Sequence, residues 1–234
     1  MSDDVLADQI DYYRARAPEY DQWWNREGRY DKGDEFTAGW RAEVAQAEAW
    51  LDRFAPVGDV LEIAAGTGNW TRRLIRHATR VLAVDASPET LAINAEKVGA
   101  DAPVEHVVAD IFDWQPPRHF DHIFFSFWIS HVPDEAIVDF MDTVAAAMKP
   151  GARVAMLDNR GADADERHVV EITDGTTDNR TGLSERLLND GSTFTIVKVY
   201  RPPERLAELL EPHGWHVTGG STERYFTWAE ATRP

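Results

Sequence analysis

Short apolar runs alternate with amphipathic stretches through the central part of the chain. The strand-like runs are DVLEIA (59–64), RVLAVD (80–85), VEHVVAD (104–110), HIFFSF (122–127) and KPGARVAMLD (149–158). Several are apolar at successive positions, which is typical of strands buried on both faces. Helical stretches follow, from about Asn69 to His77, after the cap Ser87-Pro88, and from Pro133. Because strands alternate with helices, the pattern predicts an α/β fold with a mostly parallel sheet.

The ends of the chain follow other patterns. Segments 5–17 and 38–54 are predicted as helices with polar turns between them, whereas 159–192 is polar and poorly periodic. TFTIVKVY (193–200) is predicted as a strand, and a helix followed by a hairpin closes the chain. We therefore expect one domain with four parts, namely an N-terminal helical cap (1–54), a core (55–158), an insert (159–200) and a C-terminal helix and hairpin (201–234).

Charge narrows the range of partners. The 234 residues include 41 acids and 24 bases, so the net charge is -17. Such a surface repels phosphate backbones and anionic membranes, which argues against nucleic-acid and membrane partners. The absence of cysteine excludes disulfides and thiolate chemistry. The acidic start MSDDVLADQIDYY does not resemble a signal peptide, and no apolar run is long enough to span a bilayer, so we expect a cytoplasmic protein.

A glycine-containing turn follows the first strand, in VLEIAAGTGNW (60–70). Gly66 and Gly68 allow backbone N–H groups to approach a ligand, although such a pair alone is equally compatible with an ordinary turn. Thr71 stands where a dinucleotide-binding fingerprint has its third glycine, and no P-loop lysine is present. Glu62, inside the strand, suits a cationic or amino-bearing ligand better than a pyrophosphate.

Acids also end the next two strands. Asp85 can accept hydrogen bonds from both hydroxyls of a ribose; the alternative is a helix cap, but Ser87 is the better cap. Asp110 can accept from an adenine amino group, with Ile111 against the ring, or can serve only as a turn residue. Together, acids on successive strand ends without a basic phosphate binder describe a nucleoside without phosphates.

Successive motifs carry a family resemblance. They are VLEIAAGTGNWT, VLAVDASPETL, VVADIFDW, FDHIFFSFWISHVP and MKPGARV. Their order and spacing, over residues 58–158, resemble class I S-adenosylmethionine-dependent methyltransferases. The N-terminal YYRARAPEYDQWWNREGRYDKG resembles the cap of small-molecule methyltransferases, particularly an actinobacterial group. The resemblance implies a doubly wound, Rossmann-like sheet of seven strands in the order 3-2-1-4-5-7-6, with strand 7 antiparallel and an N-terminal helical lid.

The resemblance also implies a set of cofactor-binding residues. S-adenosylmethionine would be the cofactor and S-adenosylhomocysteine the product. The expected contacts in the core are Glu62, Ala64, Gly66, Thr67, Gly68, Asp85, Ala86, Asp110, Ile111, Ser126 and Phe127. Gly66 to Gly68 would pass under the methionine part, and Ser126 and Phe127 would lie near the sulfonium. Many members have glycine at the position of Ala64, so its methyl group is a departure from the family pattern.

Aromatic residues crowd the N-terminal segment. Tyrosine and tryptophan suit a lid that is apolar inside and wet outside, and their ring faces attract a sulfonium charge. Tyr20 and Tyr30 are the expected cofactor contacts, and Arg29 is a candidate for the cofactor carboxylate. Simple packing of short helices is the alternative. From this lid we expect an apolar or aromatic small molecule as methyl acceptor.

The candidates for chemistry are few. His131, after the fourth strand, is either a general base or a structural histidine of the loop before Pro133. Asp158-Asn159 resembles a pair found in metal-dependent O-methyltransferases. Ser126 stands where those enzymes have a further ligating aspartate, so we expect no metal.

The expected function is methyl transfer to an oxygen, nitrogen or sulfur of a small molecule. In-line displacement needs mainly positioning and exclusion of water. A non-catalytic S-adenosylmethionine-binding protein is one alternative. A nicotinamide oxidoreductase is another, disfavoured by the missing third glycine and by Glu62.

Overall fold

A computed structural model describes residues 3–161, 177–178 and 181–234, with side chains from residue 7 onward. Its N-terminal part holds helices α1 (Asp3–Arg16), α2 (Tyr20–Asn25) and α3 (Asp34–Phe54). α2 occupies a segment predicted as turns, because six residues are too few to give a clear helical period. α3 begins four residues earlier than predicted, with Asp34 and Glu35 in its first turn, where acids favour a helix start.

The predicted central sheet is confirmed. Its strands are β1 (Gly58–Ile63), β2 (Ala78–Asp85), β3 (Val104–Val108), β4 (Phe120–Ser126), β5 (Met148–Asn159), β9 (His216–Ser221) and β10 (Phe226–Thr232). Within the described ranges they form a seven-stranded sheet in the order β3-β2-β1-β4-β5-β10-β9. β10 runs antiparallel to both β5 and β9, whereas the pairs among β1 to β5 are parallel. This is the order and polarity that the family resemblance implied.

Helices cover both faces of this sheet. After β1 come α4 (Thr71–Leu74), α5 (Pro88–Val98), α6 (Ile137–Ala146) and α7 (Pro203–Leu210). α4 is shorter than the predicted helix, because turn hydrogen bonds from Arg76 to Arg73 and from His77 to Leu74 replace helical ones. α5 starts as predicted, with the Ser87 hydroxyl accepting from the N–H of Thr90. Among the helices of the described residues, none is long and apolar enough to cross a membrane.

Apolar residues at successive strand positions serve opposite faces of the sheet. In β1, Leu61 belongs to a core cluster with α6 and α7, whereas Val60 belongs to a second cluster with α3. Trp40, Trp50 and Phe54 are the aromatic side chains that α3 buries in that second cluster. Burial on both faces explains why the strands do not alternate in polarity.

The insert carries more structure than its sequence indicated. Strands β6 (Thr177–Asp178), β7 (Leu183–Leu187) and β8 (Thr193–Val197) form a small antiparallel sheet. Tyr12 of α1 packs against Leu188, Ile196 and Phe194, so this sheet supports the N-terminal helices. Residues 162–176 and 179–180 of the insert lie outside the described residues. The four-part division of the domain therefore stays a prediction.

Candidate active site

The turn after β1 contains an alanine in the left-handed region. Ala64 has φ +51°, and Gly66 and Gly68 also have positive φ. A residue with a side chain pays roughly 1–2 kcal/mol for this conformation. Phe127, at the end of the adjacent β4, has φ +53° and carries the same kind of strain. The alanine at position 64, where many family members have glycine, therefore adds backbone strain to the turn.

Asp85 holds the turn in place. One carboxylate oxygen accepts from the N–H of Gly66 at 2.8 Å, and the other accepts from the N–H of Ser87 at 2.9 Å. Burial raises the pKa of Asp85, and these two backbone donors oppose the rise. Gly68 is needed for space as well as conformation, because an added Cβ would lie 2.8 Å from the Asn94 side chain. A hydrogen bond between Asp85 and Gly66 thus joins the end of β2 to the turn after β1.

Glu62 lies beneath the turn and is 1% exposed. Its carboxyl group accepts from the Thr71 hydroxyl at 2.6 Å, and that hydroxyl accepts from the Asn94 amide at 2.8 Å. Burial raises the pKa of Glu62 to about 8. Thr71, where a dinucleotide site has glycine, is therefore an anchor for this acid. Glu62 supports the turn from below and does not line the cavity above it.

A first cavity opens at the carboxyl ends of the strands, where the order of the sheet reverses after β1. With its mouth open to solvent it encloses about 840 Å³. Nine residues expected from the sequence line it together: Tyr20, Ala64, Gly66, Asp85, Ala86, Asp110, Ile111, Ser126 and Phe127. Ligands of doubly wound sheets bind at such a crevice. Thr67 lines an adjoining recess, and Gly68, in the same turn, is not among the residues that line either space.

One group of lining residues suits a flat apolar ring beside a polar edge. Ile111, Phe112 and Trp128 line the cavity, and the Phe112 and Trp128 rings lie 5.8 Å apart. One oxygen of Asp110 accepts from the N–H of Phe112 at 3.0 Å, so Asp110 is a turn residue and a cavity residue at once. The two interpretations left open from the sequence are therefore compatible.

The N-terminal helices form a lid over the first cavity. Gln9, Ile10 and Tyr13 of α1 line the cavity opposite the strand ends. From α2, Asp21 accepts from the Thr67 hydroxyl at 2.7 Å and from Lys97 at 2.7 Å. The lid is therefore tied directly to the glycine turn. Sequence reasoning missed Gln9, Ile10 and Asp21 as site residues, although Ile10 and Tyr13, three apart, share one helix face.

Comparison with known proteins identifies the family. A family model described as a methyltransferase domain matches residues 60–151. An uncharacterized methyltransferase from Staphylococcus carnosus is 31% identical over 151 residues, which span 64% of this chain and 67% of the relative. Among solved structures, a DhpI complex with S-adenosylmethionine (SAM) and HEP has TM-score 0.78 and 36% identity, with all of both chains covered.

A second DhpI structure, in complex with S-adenosylhomocysteine (SAH), has TM-score 0.76 and 34% identity, covering 100% of this chain and 98% of that one. The chain belongs to the class I SAM-dependent methyltransferases. SAM is its cofactor, and neither the nicotinamide nor the non-catalytic alternative is supported. The first cavity of the methyltransferase fits this cofactor, because Asp85 offers a carboxylate for hydroxyls and Ile111 an apolar surface for a ring.

A second cavity adjoins the first in the methyltransferase. Tyr13, Tyr20 and Phe127 line both cavities. The second is lined further by Tyr12, Arg16, Trp23, Arg29, Tyr30, His131, Asn159, Arg186, Leu187, Ile196 and Lys198. Tyr30 and Arg29, expected at the cofactor, lie on this side instead. Arg29 donates to Glu19 at 2.9 Å and to the Tyr30 hydroxyl at 2.8 Å, which directs it away from the first cavity.

His131 is buried and hydrogen-bonded through both ring nitrogens. Its Nδ1 lies 2.6 Å from the carbonyl of Val197, so Nδ1 carries the proton. Nε2, 2.7 Å from the Tyr13 hydroxyl, therefore accepts from Tyr13. Burial lowers the pKa of His131 well below 6.5, and the nearby Lys198 and Arg186 lower it further. The methyltransferase thus holds His131 neutral, with its free lone pair engaged by a lid tyrosine.

The Asp158-Asn159 pair faces a lysine. Asp158 accepts from the N–H and hydroxyl of Ser130 at 3.0 and 2.9 Å, and from Lys198 at 3.3 Å. Lys198 also donates to Asn159 at 3.4 Å. In the part of the chain that the structure describes, no group of three or more histidine or acid side chains could hold a metal ion. Metal independence itself stays a prediction.

Proposed function

We propose that the enzyme transfers the methyl group of SAM to a small molecule held in the second cavity. The observation that carries this proposal is the shared wall of Tyr13, Tyr20 and Phe127 between the two cavities. A donor in one cavity and an acceptor in the other would meet at this wall. The solved complex of DhpI with both SAM and HEP supports the binding of a second molecule together with the donor.

The proposed cofactor contacts follow from the lining of the first cavity. Asp85 would accept from the ribose hydroxyls while it keeps its bonds to the turn, and Asp110 with Ile111 would hold the adenine. Gly66 would lie against the methionine part, and Tyr20 and Phe127 would lie near the sulfonium. Glu62, Thr67 and Gly68 would shape the turn from outside the cavity.

Positioning and exclusion of water are the proposed source of rate enhancement. When bound, SAM supplies an electrophilic methyl group on a sulfonium. Ile10 and Tyr13 of the lid cover the cavity, and the Asp21 hydrogen bonds to the glycine turn hold the lid closed. Two molecules held in line and away from water react without further help when the acceptor is already nucleophilic. We assign His131 the task of orienting the Tyr13 hydroxyl at the shared wall.

The proposal is tested by binding and transfer measured with the purified full chain. SAH is titrated calorimetrically, with NAD as the comparison ligand, and pools of small molecules are then incubated with radiolabelled SAM. We expect saturable binding of SAH, no binding of NAD, and label in a small molecule. Label that enters only protein or RNA would contradict the assignment of a small-molecule acceptor.

A further inference from the structure

The second cavity is cationic in an acidic protein. Four of the side chains that line it are basic, namely Arg16, Arg29, Arg186 and Lys198, and none of its described lining residues is an acid. The whole chain has 41 acids against 24 bases, so this concentration runs against the composition. These cations are buried or half-buried, and they require compensation by anions because an unpaired charge away from water is costly.

Protein carboxylates compensate two of the four cations. Arg29 pairs with Glu19 at 2.9 Å, and Glu19 is itself buried. Lys198 pairs with Asp158 at 3.3 Å, and both side chains are almost fully buried. These two cations therefore contribute little net charge to the cavity.

Arg16 and Arg186 have no carboxylate partner among the described residues. The Arg16 guanidinium lies over the Tyr20 ring at 4.9 Å and the Tyr12 ring at 5.5 Å, and its Nε is buried without a hydrogen-bond acceptor. Arg186 is 5% exposed and donates to the Ser184 hydroxyl at 2.5 Å and to a backbone carbonyl at 3.3 Å. Both acceptors of Arg186 are neutral.

We propose that Arg16 and Arg186 bind an oxyanion group of the methyl acceptor, either a carboxylate or a phosphate-like group. This inference rests on the proposed function, since it names the substrate class of the same second cavity. A guanidinium presents paired N–H donors that match two oxygens of such a group. With its mouth the cavity encloses about 470 Å³, which suits a small organic anion.

The lid tyrosines lie beside these cations, and one of them can donate a hydrogen bond to the same anionic ligand. Tyr12, Tyr13, Tyr20 and Tyr30 line the second cavity, as the aromatic lid predicted from the sequence would do. The Tyr30 hydroxyl accepts from Arg29, which leaves its own proton available to an anionic ligand. The apolar or aromatic acceptor expected from the lid alone is therefore replaced in this proposal by an anionic one.

Binding of matched charged and neutral probes tests the proposal. Calorimetric titrations of the full chain, with and without saturating SAH, use acetate against acetamide and methylphosphonate against its neutral dimethyl ester. We expect the anions to bind and the neutral probes not to bind. Whichever of the two anions binds with the higher affinity shows whether the site prefers a carboxylate or a phosphorus oxyanion. Equal affinity for a charged probe and its neutral partner would overturn the proposal.

Variants assign the binding to the two arginines. Arg16→Gln and Arg186→Gln should each weaken anion binding by about ten-fold or more, the scale of a lost charge-assisted hydrogen bond. Each should leave SAH affinity unchanged. Arg205→Gln, at an exposed helix position paired with Glu208, is the control and should bind the anions as the wild type does. Undiminished anion binding in both test variants would overturn the assignment.

The two proposals fail in different ways. If the wild type did not bind SAH, the proposed function would be contradicted. The titrations without SAH would still measure anion binding in the second cavity. Thermal unfolding of each variant shows whether it is folded. Where Arg186→Gln does not fold, Arg186→Lys, which keeps the charge but not the paired donors, should show intermediate affinity. The comparison of charged and neutral probes on the wild type tests whether the protein binds the anion, and the variants test whether Arg16 and Arg186 form the site.

Discussion

Glu62 makes the stability of this methyltransferase depend on pH in an unusual direction. The carboxyl is 1% exposed, and burial raises its pKa from 4.5 to about 8. Below pH 4.5 both the folded and the unfolded chain carry the proton, so the group costs nothing. Above it the unfolded chain releases its proton while the folded chain retains it, and stability falls until the pH reaches about 8.

The size of the effect follows from the two pKa values. They differ by about 3.5, and each unit corresponds to about 1.4 kcal/mol. The loss is therefore about 2 kcal/mol at pH 6 and about 4 kcal/mol at pH 8, and it levels off at about 5 kcal/mol above that. Glu62→Gln, which resembles the protonated acid in size and hydrogen bonding to Thr71, should remove this loss. The difference in free energy of unfolding between this variant and the wild type should grow with pH and then level off.

Urea denaturation between about pH 5 and pH 8 measures the effect. Glu62→Gln and wild type should have similar free energies of unfolding at the acidic end, and the variant should be more stable at the alkaline end. Glu96→Gln, at an exposed position of α5, is the matched control and should show a difference from wild type that does not change with pH. Parallel curves for wild type and Glu62→Gln would refute the reasoning.

Three further variants test the rest of the site. Asp85→Ala should weaken SAH binding by roughly 1–3 kcal/mol, the cost of unpaired buried donors. Asp101→Ala, at an exposed turn, is the control and should bind SAH as the wild type does. If a calorimetric titration gave Asp85→Ala the SAH affinity of the wild type, the ribose would be misplaced. His131→Ala should keep its SAH affinity, and kcat should show no ionisation of this residue above pH 6.5, because burial holds its pKa well below that value; an inflection lost in the variant would argue for a base. Lys198→Met should lower the free energy of unfolding by roughly 3–5 kcal/mol, since it leaves a buried carboxylate unpaired. Lys149→Met, at a partly exposed pair, should lower it by less than about 1 kcal/mol, and equal losses would contradict the burial argument.

The parallel core could be predicted because its signals are local and repeated. Each strand is a short apolar run, and each turn after a strand carries a residue with a definite conformational or hydrogen-bonding task, as at Gly66 and Ser87. The acid at the end of β2 could be predicted as a site residue because parallel strands bring their carboxyl ends to one edge. These features depend on neighbours in sequence or on the topology of the sheet.

Long-range contacts explain what the sequence did not reveal. Asp21 bonds to Thr67 and Lys97, 46 and 76 residues away, and no local pattern indicates such a contact. Arg186 lies in the insert, where strands of five residues or fewer give little periodicity. Glu62 was expected to face a ligand, but strand register alone could not show that Thr71 covers it.

A crystal structure of the methyltransferase with SAH and the better-binding anion, acetate or methylphosphonate, tests the central claim most directly. The account predicts SAH in the first cavity, with its ribose hydroxyls on Asp85 and its sulfur toward Phe127. It predicts the anion in the second cavity, held by Arg16 and Arg186. An anion bound only at surface side chains, or SAH bound away from Asp85, would contradict the account.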